Sequence, residues 1–185
     1  VGVAVIGTAY RCKGSLGTFA QAMEDIDDAV KWARANAEEY NLDLSMIGFS
    51  GGSAGAPLSA LQAQRTPETL LYVGFNGVYD FVNNKGFGGG NAYGQQNPSA
   101  EANSAAYNLK TPPPHTIVMH GSADTTISPD QSVRFAEAVR RAGGTSTCVI
   151  YEGEVHSFLP GQMKNACLWE FKEGCIQAFN LTGRD

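Results

Sequence analysis

The residues best suited to chemistry in this chain are a serine, an aspartate and a histidine, each placed after a strand-like run. Ser53 stands in the glycine-rich stretch Ile47–Ala60, Asp124 follows the apolar run Thr116–His120, and His156 follows a later strand-like run. A serine hydroxyl needs a neighbouring base to become a nucleophile, and an imidazole base needs an acceptor on its other ring nitrogen. The order Ser, Asp, His therefore predicts nucleophilic catalysis by a hydrogen-bonded triad.

Two overlapping Gly-x-Ser-x-Gly patterns compete for the nucleophile, one centred on Ser50 and one on Ser53. This pattern suits a tight turn from a strand into a helix, where small neighbours let the backbone present the hydroxyl. With Ser50 in that turn, three glycines would enter the helix at about 1 kcal/mol each, and Pro57 would break its second turn. Ser53 avoids both problems, and we therefore predict Ser53 as the nucleophile.

Other acids and bases in the sequence have simpler explanations. Asp80 ends an earlier strand-like run and is a competing acid, whereas His115 follows three prolines and has no evident role. His120 precedes a glycine at a strand end and is better explained as a buried, hydrogen-bonded residue than as the base. Taken singly, Asp124 could satisfy its own turn and His156 could be a surface residue. Only their combination with the serine favours chemistry.

Alternating apolar runs and helical periodicity predict the elements that would position these groups. Strands are expected at 1–8, 43–51, 70–75, 116–120 and 146–151, and helices at 19–40, 54–64, 129–142 and 162–179. Residues 82–114, with the glycine-rich Gly86–Gly94, lack periodicity and predict a long loop. Alternation of this kind predicts an α/β fold with a mostly parallel sheet and helices on both faces. Catalytic groups would then meet at the carboxyl edge of the sheet.

The composition of this 185-residue chain argues against several classes of binding partner. Its net charge of −5 gives no basic surface for nucleic acid, and no apolar run is long enough for a membrane span. Four cysteines without a CxxC pair and only three histidines argue against a structural zinc site. No GxGxxG pattern or P-loop Lys-Ser/Thr accompanies the glycine-rich turn, which argues against a nucleotide cofactor. The disulfide state of Cys12, Cys148, Cys167 and Cys175 is left open, although Cys167 and Cys175 would lie too far apart on one helix to bridge.

Several segments together resemble the hormone-sensitive-lipase and BD-FAE-like carboxylesterases of the α/β-hydrolase superfamily. The stretch from Tyr40 to Gly55 resembles their strand and Gly-x-Ser-Ala-Gly turn, and Thr8–Arg11 resembles their Tyr-Arg motif. Residues Pro112 to Asp124 are similar to the acid-bearing segment, and Glu152–Phe158 to the Gly-x-x-His-x-Phe end. The likeness runs over nearly the whole chain and implies the α/β-hydrolase fold.

The resemblance implies a role for each site residue. Ser53 would attack an ester carbonyl, His156 would transfer the proton, and Asp124 would orient His156. The N–H of Ala54 would be one oxyanion donor. The family's His-Gly-Gly loop and first strands have no counterpart, so residues 1–185 are expected to form a single α/β-hydrolase domain that lacks those parts.

The leading functional prediction is a serine carboxylic-ester hydrolase for small-molecule esters, such as acetyl or feruloyl esters. A peptidase of the prolyl-oligopeptidase group and a non-catalytic ligand-binding protein on the same fold are the alternatives. No cofactor, metal, nucleic acid or membrane span is expected. The sequence leaves oligomeric state and compartment, secreted or cytoplasmic, open.

Overall fold

The computed structural model describes residues 3–11, 18–83, 100–113, 115–158 and 164–180, the side chains of 164–168 excepted. The strands are β1 (Ile47–Gly52), β2 (Thr69–Phe75), β3 (His115–Gly121) and β4 (Thr145–Tyr151). The helices are α1 (Phe19–Ala35), α2 (Gly55–Arg65), α3 (Ala100–Asn103), α4 (Asp130–Arg141) and α5 (Lys164–Ala178), with a 3₁₀ turn at Ala105–Tyr107.

The four described strands form one sheet in the order β1-β2-β3-β4, and every neighbouring pair is parallel. Helix α2 connects β1 to β2, and α4 connects β3 to β4. Parallel neighbours require such crossover connections, so their carboxyl ends lie at one edge of the sheet. The predicted α/β architecture with a parallel sheet is confirmed.

Two apolar clusters cover the two faces of this sheet. Tyr72 of β2 and Val118 of β3 pack with residues of α1, α2 and α4 on one face. Leu71, Ile117 and Met119 from the same two strands pack with residues of α5 on the other. Because side chains alternate along a strand, one strand can supply both clusters. Helices therefore lie on both faces of the sheet, as predicted, and they bury the central strands β2 and β3.

Helix α2 lies unusually close to the end of β1. A β-carbon at Gly51 would overlap the backbone carbonyl of Gly55 and lie 2.5 Å from the hydroxyl of Ser59. Glycine at position 51 therefore lets the first turn of α2 sit against the strand. This close packing fixes where the turn between β1 and α2 can lie.

The predicted strand over Val1–Thr8 is wrong for its described part. Residues 3–8 form no strand and are exposed, Val5 by 82%. A cavity of about 950 Å³ is lined by this segment and by β1. A strand needs a hydrogen-bonded neighbour for its backbone groups, and no described strand runs beside these residues. Apolar, β-branched composition alone did not make this segment part of the sheet.

Local side-chain hydrogen bonds explain two shifted boundaries. Helix α1 ends before the predicted Tyr40, because the Asn36 side chain donates to the Trp32 carbonyl at 2.7 Å and caps the last turn. Strand β1 begins later than predicted, because the Asp43 carboxylate accepts from the Ser45 amide at 3.0 Å and from its hydroxyl at 2.6 Å. Both side chains offer the backbone an alternative to continuing the regular element.

Several other predictions concern residues 82–114 and the cysteines. Helix α3 and the 3₁₀ turn lie within the predicted long loop, and its glycine-rich part lies outside the described residues. Cys148 and Cys175 are free thiols, whereas Cys12 and the side chain of Cys167 lie outside the described residues.

Among the described helices, none has the length and apolar character needed to cross a membrane.

Candidate active site

Ser53 occupies the turn between β1 and α2 with a left-handed backbone (φ 49°), and its N–H donates to the Phe75 carbonyl at 2.9 Å. For a residue other than glycine this conformation costs on the order of 1–3 kcal/mol, and such strain is concentrated at functional sites. Ser50 lies inside β1 instead. Pro57 is the third residue of α2, where its missing N–H removes no helical hydrogen bond. The structure thus places Ser53, rather than Ser50, in the turn.

Asp124 lies in the loop after β3 and is 6% exposed. One carboxylate oxygen accepts from the backbone amides of Thr126 at 2.8 Å and Ile127 at 2.9 Å. Burial raises the pKa of Asp124, but the hydrogen bonds from the Ile127 amide, from His156 and from the Thr126 amide outweigh burial and lower the pKa below its ordinary value. The carboxylate is therefore ionised at neutral pH.

His156 lies in the loop after β4, which packs directly on the loop that carries Asp124. A β-carbon at Gly121 would overlap the carbonyl of Glu154. That same carbonyl accepts from the Ala123 amide at 2.9 Å. The absence of a side chain at position 121 therefore allows the two loops to join by backbone hydrogen bonds.

The three predicted residues form one continuous chain of hydrogen bonds. The Ser53 Oγ lies 2.9 Å from His156 Nε2, and His156 Nδ1 lies 2.7 Å from Asp124 Oδ2. An ionised carboxylate only accepts, so Nδ1 carries the proton and Nε2 of the neutral ring faces the serine hydroxyl. In this arrangement the imidazole can take the serine proton while the carboxylate faces the positive charge that develops.

Ala54 follows the serine and is the N-cap residue of α2. Backbone N–H groups at a helix start lack intrahelical acceptors and carry positive potential. Its amide therefore lies at the start of α2 and is a candidate for the expected oxyanion donor.

The competing acid and the other histidine have different environments. The Asp80 carboxylate accepts from the backbone amides of Val82 and Asn83, both at 2.9 Å, and from the Asn83 side chain. Asp80 therefore caps its own turn. His115 is the first residue of β3 and lies at the amino edge of the sheet, opposite the candidate site.

His120 is fully buried, and its ring is hydrogen-bonded on both sides, as the sequence predicted. Its Nδ1 lies 2.8 Å from Ser132 Oγ. Its Nε2 lies 3.1 Å from Asp124 Oδ2 and 3.0 Å from the Ile127 carbonyl. Burial lowers the pKa of His120, and the opposing contributions of the Ile127 carbonyl and Asp124 do not offset it. The ring is therefore neutral at neutral pH.

Asn76 is a residue of the site that the sequence analysis missed. It follows β2, has a left-handed backbone (φ 39°) and donates its N–H to the Met119 carbonyl at 2.8 Å. Its side-chain nitrogen lies 3.5 Å from His156 Nε2. An Asn-Gly pair directly after a buried strand was the signal that could have revealed it, because asparagine tolerates this backbone conformation.

Within the part of the chain that the structure describes, no group of three or more His, Cys, Asp or Glu side chains could hold a metal ion.

Sequence comparison finds esterases among the relatives of this chain. It is 28% identical over 159 residues to esterase LipQ of Mycobacterium tuberculosis, covering 70% of this chain and 36% of the relative. It is 27% identical over 177 residues to a probable isoprenylcysteine alpha-carbonyl methylesterase of Arabidopsis thaliana, covering 77% of this chain and 41% of the relative. The chain thus spans less than half the length of each.

Comparison with solved structures finds esterases that share the fold of this chain. The propionate-bound esterase 2 of Thermogutta terrifontis superposes with a TM-score of 0.74 at 23% identity, over 87% of this chain and 66% of that structure. The resemblance to α/β-hydrolase carboxylesterases drawn from the sequence is confirmed. The profile of the prolyl oligopeptidase family matches residues 7–172, nine-tenths of the chain. The chain belongs to the prolyl oligopeptidase family and has the α/β-hydrolase fold.

Proposed function

We propose that the chain carries the catalytic triad of a serine carboxylic-ester hydrolase. The observation that carries this proposal is the hydrogen-bonded series from Ser53 Oγ through the His156 ring to Asp124 Oδ2, with distances of 2.9 Å and 2.7 Å. The esterase names of the matched relatives favour an ester over other acyl substrates.

The proposed reaction has two halves. Ser53 Oγ attacks the ester carbonyl while His156 Nε2 takes its proton, and the tetrahedral intermediate collapses when His156 returns that proton to the leaving alcohol. Water then attacks the acyl-enzyme, again losing a proton to His156, and the acid leaves as the serine is reprotonated. Asp124 stays ionised throughout, which agrees with its lowered pKa.

The oxyanion and the substrate are further parts of the proposal. The Ala54 N–H would donate to the oxygen that becomes negative, an interaction worth roughly 3–4 kcal/mol in the transition state of related chemistry. Acetyl and feruloyl esters of plant polysaccharides are the substrate classes that the sequence resemblance suggests.

A peptidase is the second candidate, because the family match is to the prolyl oligopeptidases. The same triad can cleave an amide, since His156 can protonate a leaving amine as it would an alcohol. Parallel assays with a p-nitrophenyl ester and a prolyl p-nitroanilide separate the two. We expect turnover of the ester, and exclusive turnover of the anilide would instead assign a peptidase.

The first test compares Ser53→Ala with the unmodified chain on p-nitrophenyl acetate and butyrate. We expect kcat to fall by about 10⁶-fold, below detection, because the nucleophile is lost. Ser50→Ala is the matched control, since Ser50 is another serine of the same glycine-rich stretch but lies inside β1. This variant should remain folded and active.

The reverse pattern, with activity lost in Ser50→Ala and kept in Ser53→Ala, would refute the assignment. A fluorophosphonate probe adds a test that needs no substrate. Labelling of the unmodified chain that disappears in Ser53→Ala supports a live nucleophile. A well-folded chain with neither labelling nor turnover would favour the ligand-binding alternative.

A further inference from the structure

One carboxylate oxygen of Asp124 serves two histidines. Its Oδ2 lies 2.7 Å from His156 Nδ1 and 3.1 Å from His120 Nε2. The Asp124 and His120 side chains are both completely buried, whereas the His156 side chain is 19% exposed. Asp124 therefore has a second hydrogen-bonded partner on its buried side. We call this connection from Asp124 Oδ2 through His120 to Ser132 the interior arm of the triad.

The hydrogen bonds around His120 select one tautomer. Its Nε2 faces two acceptors, Asp124 Oδ2 at 3.1 Å and the Ile127 carbonyl at 3.0 Å, so this nitrogen must carry the hydrogen. Its Nδ1 is then an acceptor and lies 2.8 Å from the hydroxyl of Ser132. Ser132 is itself fully buried at the start of α4. Each polar atom of the ring therefore has a partner.

The charge on His120 follows from the groups that face it. Asp124 and the Ile127 carbonyl favour a proton on the ring, whereas burial and the neighbouring His156 disfavour the charged form. Burial is the largest of these effects and lowers the pKa of His120. The ring can thus donate a hydrogen bond to Asp124 without adding a positive charge to the interior.

We propose that His120, fixed as the Nε2–H tautomer by the two acceptors that face Nε2 and hydrogen-bonded to Ser132 through Nδ1, is a positioning residue that holds Asp124 Oδ2 against His156 in the catalytic cycle. This inference rests on the proposed function, because it concerns the same triad. The interior arm fixes the orientation of the carboxylate. It also shares the negative charge of Oδ2, the oxygen that faces His156 Nδ1.

The test uses two substitutions of the same histidine. His120→Leu removes the donor, and we expect kcat for p-nitrophenyl acetate to fall about tenfold with KM nearly unchanged. The acidic limb of the pH-rate profile should move to higher pH, because the charged His156 ring then has Oδ2 to itself. His120→Gln keeps a donor at the end of a similar side chain and should recover part of both effects.

His115→Leu is the matched control, because it makes the same change at the other end of β3. It should leave the pH-rate profile unchanged. A purely structural role for His120 would lower the yield or stability of His120→Leu without moving the acidic limb, and that result would overturn the proposal.

Nitrogen NMR of histidine-labelled protein supplies a readout that needs no turnover, and the tautomer can be read in the unmodified chain. His120 should show the Nε2–H tautomer and should take up a proton at a lower pH than a histidine with an ordinary pKa. In Ser132→Ala, the Nδ1 resonance should move because it loses its donor, whereas Ser104→Ala, a buried serine elsewhere, should leave it in place.

An Nδ1–H tautomer, or a His120 ring that protonates at or above the pH at which an ordinary histidine does, would overturn the proposal whatever the activity. If the unmodified chain hydrolyses no ester, the proposed function fails. The titration of the His156 ring in His120→Leu then decides the inference. A shift to higher pH supports the interior arm, and no shift overturns it.

Discussion

At the residue scale, backbone strain is concentrated around the candidate triad. Left-handed conformations occur at Ser53 (φ 49°), at Asn76 (φ 39°) and at Ser157 (φ 60°), directly after His156. At the two serines this conformation costs on the order of 1–3 kcal/mol and persists only where the surroundings enforce it, whereas asparagine tolerates it more readily. All three lie at the carboxyl edge of the sheet, where the candidate side chains converge. The packing of the rest of the fold must therefore stabilise these strained conformations.

The buried His120 should make folding sensitive to mild acid. Because burial lowers its pKa below the ordinary 6.5, below pH about 6.5 the unfolded chain takes up a proton here that the folded chain resists. The free energy of unfolding should therefore decrease as the pH is lowered, by at most about 1.4 kcal/mol per pH unit from this residue. His120→Gln should reduce this dependence, measured by urea denaturation at about pH 7.5 and pH 5.

His115→Gln, which removes a histidine from the same strand, is the control and should retain the pH dependence of the unmodified chain. Equal pH dependence in His120→Gln and in the unmodified chain would contradict the prediction.

At the element scale, the junction between the loops after β3 and β4 sets the triad geometry. Gly121→Ala would push the added methyl group into the Glu154 carbonyl and displace the loop that carries His156. A displacement of about 1 Å can lower activity on the order of 100-fold. We therefore expect kcat/KM of ester hydrolysis to fall by about that factor, measured on folded protein.

Gly7→Ala is the control, since no heavy atom lies within 4 Å of a β-carbon there. It should have nearly normal activity. A Gly121→Ala variant with unchanged kcat/KM would show that the loop junction does not set the position of His156.

The secondary structure was predicted best for strands that have paired strands and packed helices beside them in the fold. Strands β2, β3 and β4 were each predicted to within one residue. The apolar runs of β2 and β3 are buried between two layers of helices, whereas β4 is only partly buried. The apolar run Val1–Thr8 was predicted as a strand on composition, and residues 3–8 lack a described partner strand. Strand pairing is a non-local property that composition cannot supply.

The convergence of the candidate residues could be predicted where their order along the chain determines their position in space. In a parallel sheet, residues that follow successive strands meet at one edge, so Ser53, Asp124 and His156 could be grouped before any distance was known. The contacts of Asn76 and the link from Ser132 to His120 depend on side-chain directions across different elements. These directions follow from packing, which a single sequence does not display.

At the whole-molecule scale, the two faces of the sheet should not unfold separately. Strand β3 supplies Val118 to one apolar cluster and Met119 to the other, and its end carries the loop of Asp124. Loss of either cluster removes burial from the strand that both share. The site, which needs the ends of β1, β3 and β4 together, should disappear in the same transition.

The two tryptophans allow this coupling to be measured, because Trp32 lies in α1 on one side of the sheet and Trp169 in α5 on the other. In single-tryptophan variants made by Trp→Phe, both fluorescence signals and ester hydrolysis should change at one urea concentration. Leu58→Ala and Met119→Ala each truncate a buried residue of one cluster and should lower the unfolding free energy by about 2–5 kcal/mol. Both should shift the Trp32 and Trp169 signals together. A substitution that moved only the signal on its own side would instead reveal two independently stable layers, and the triad would then depend on their docking.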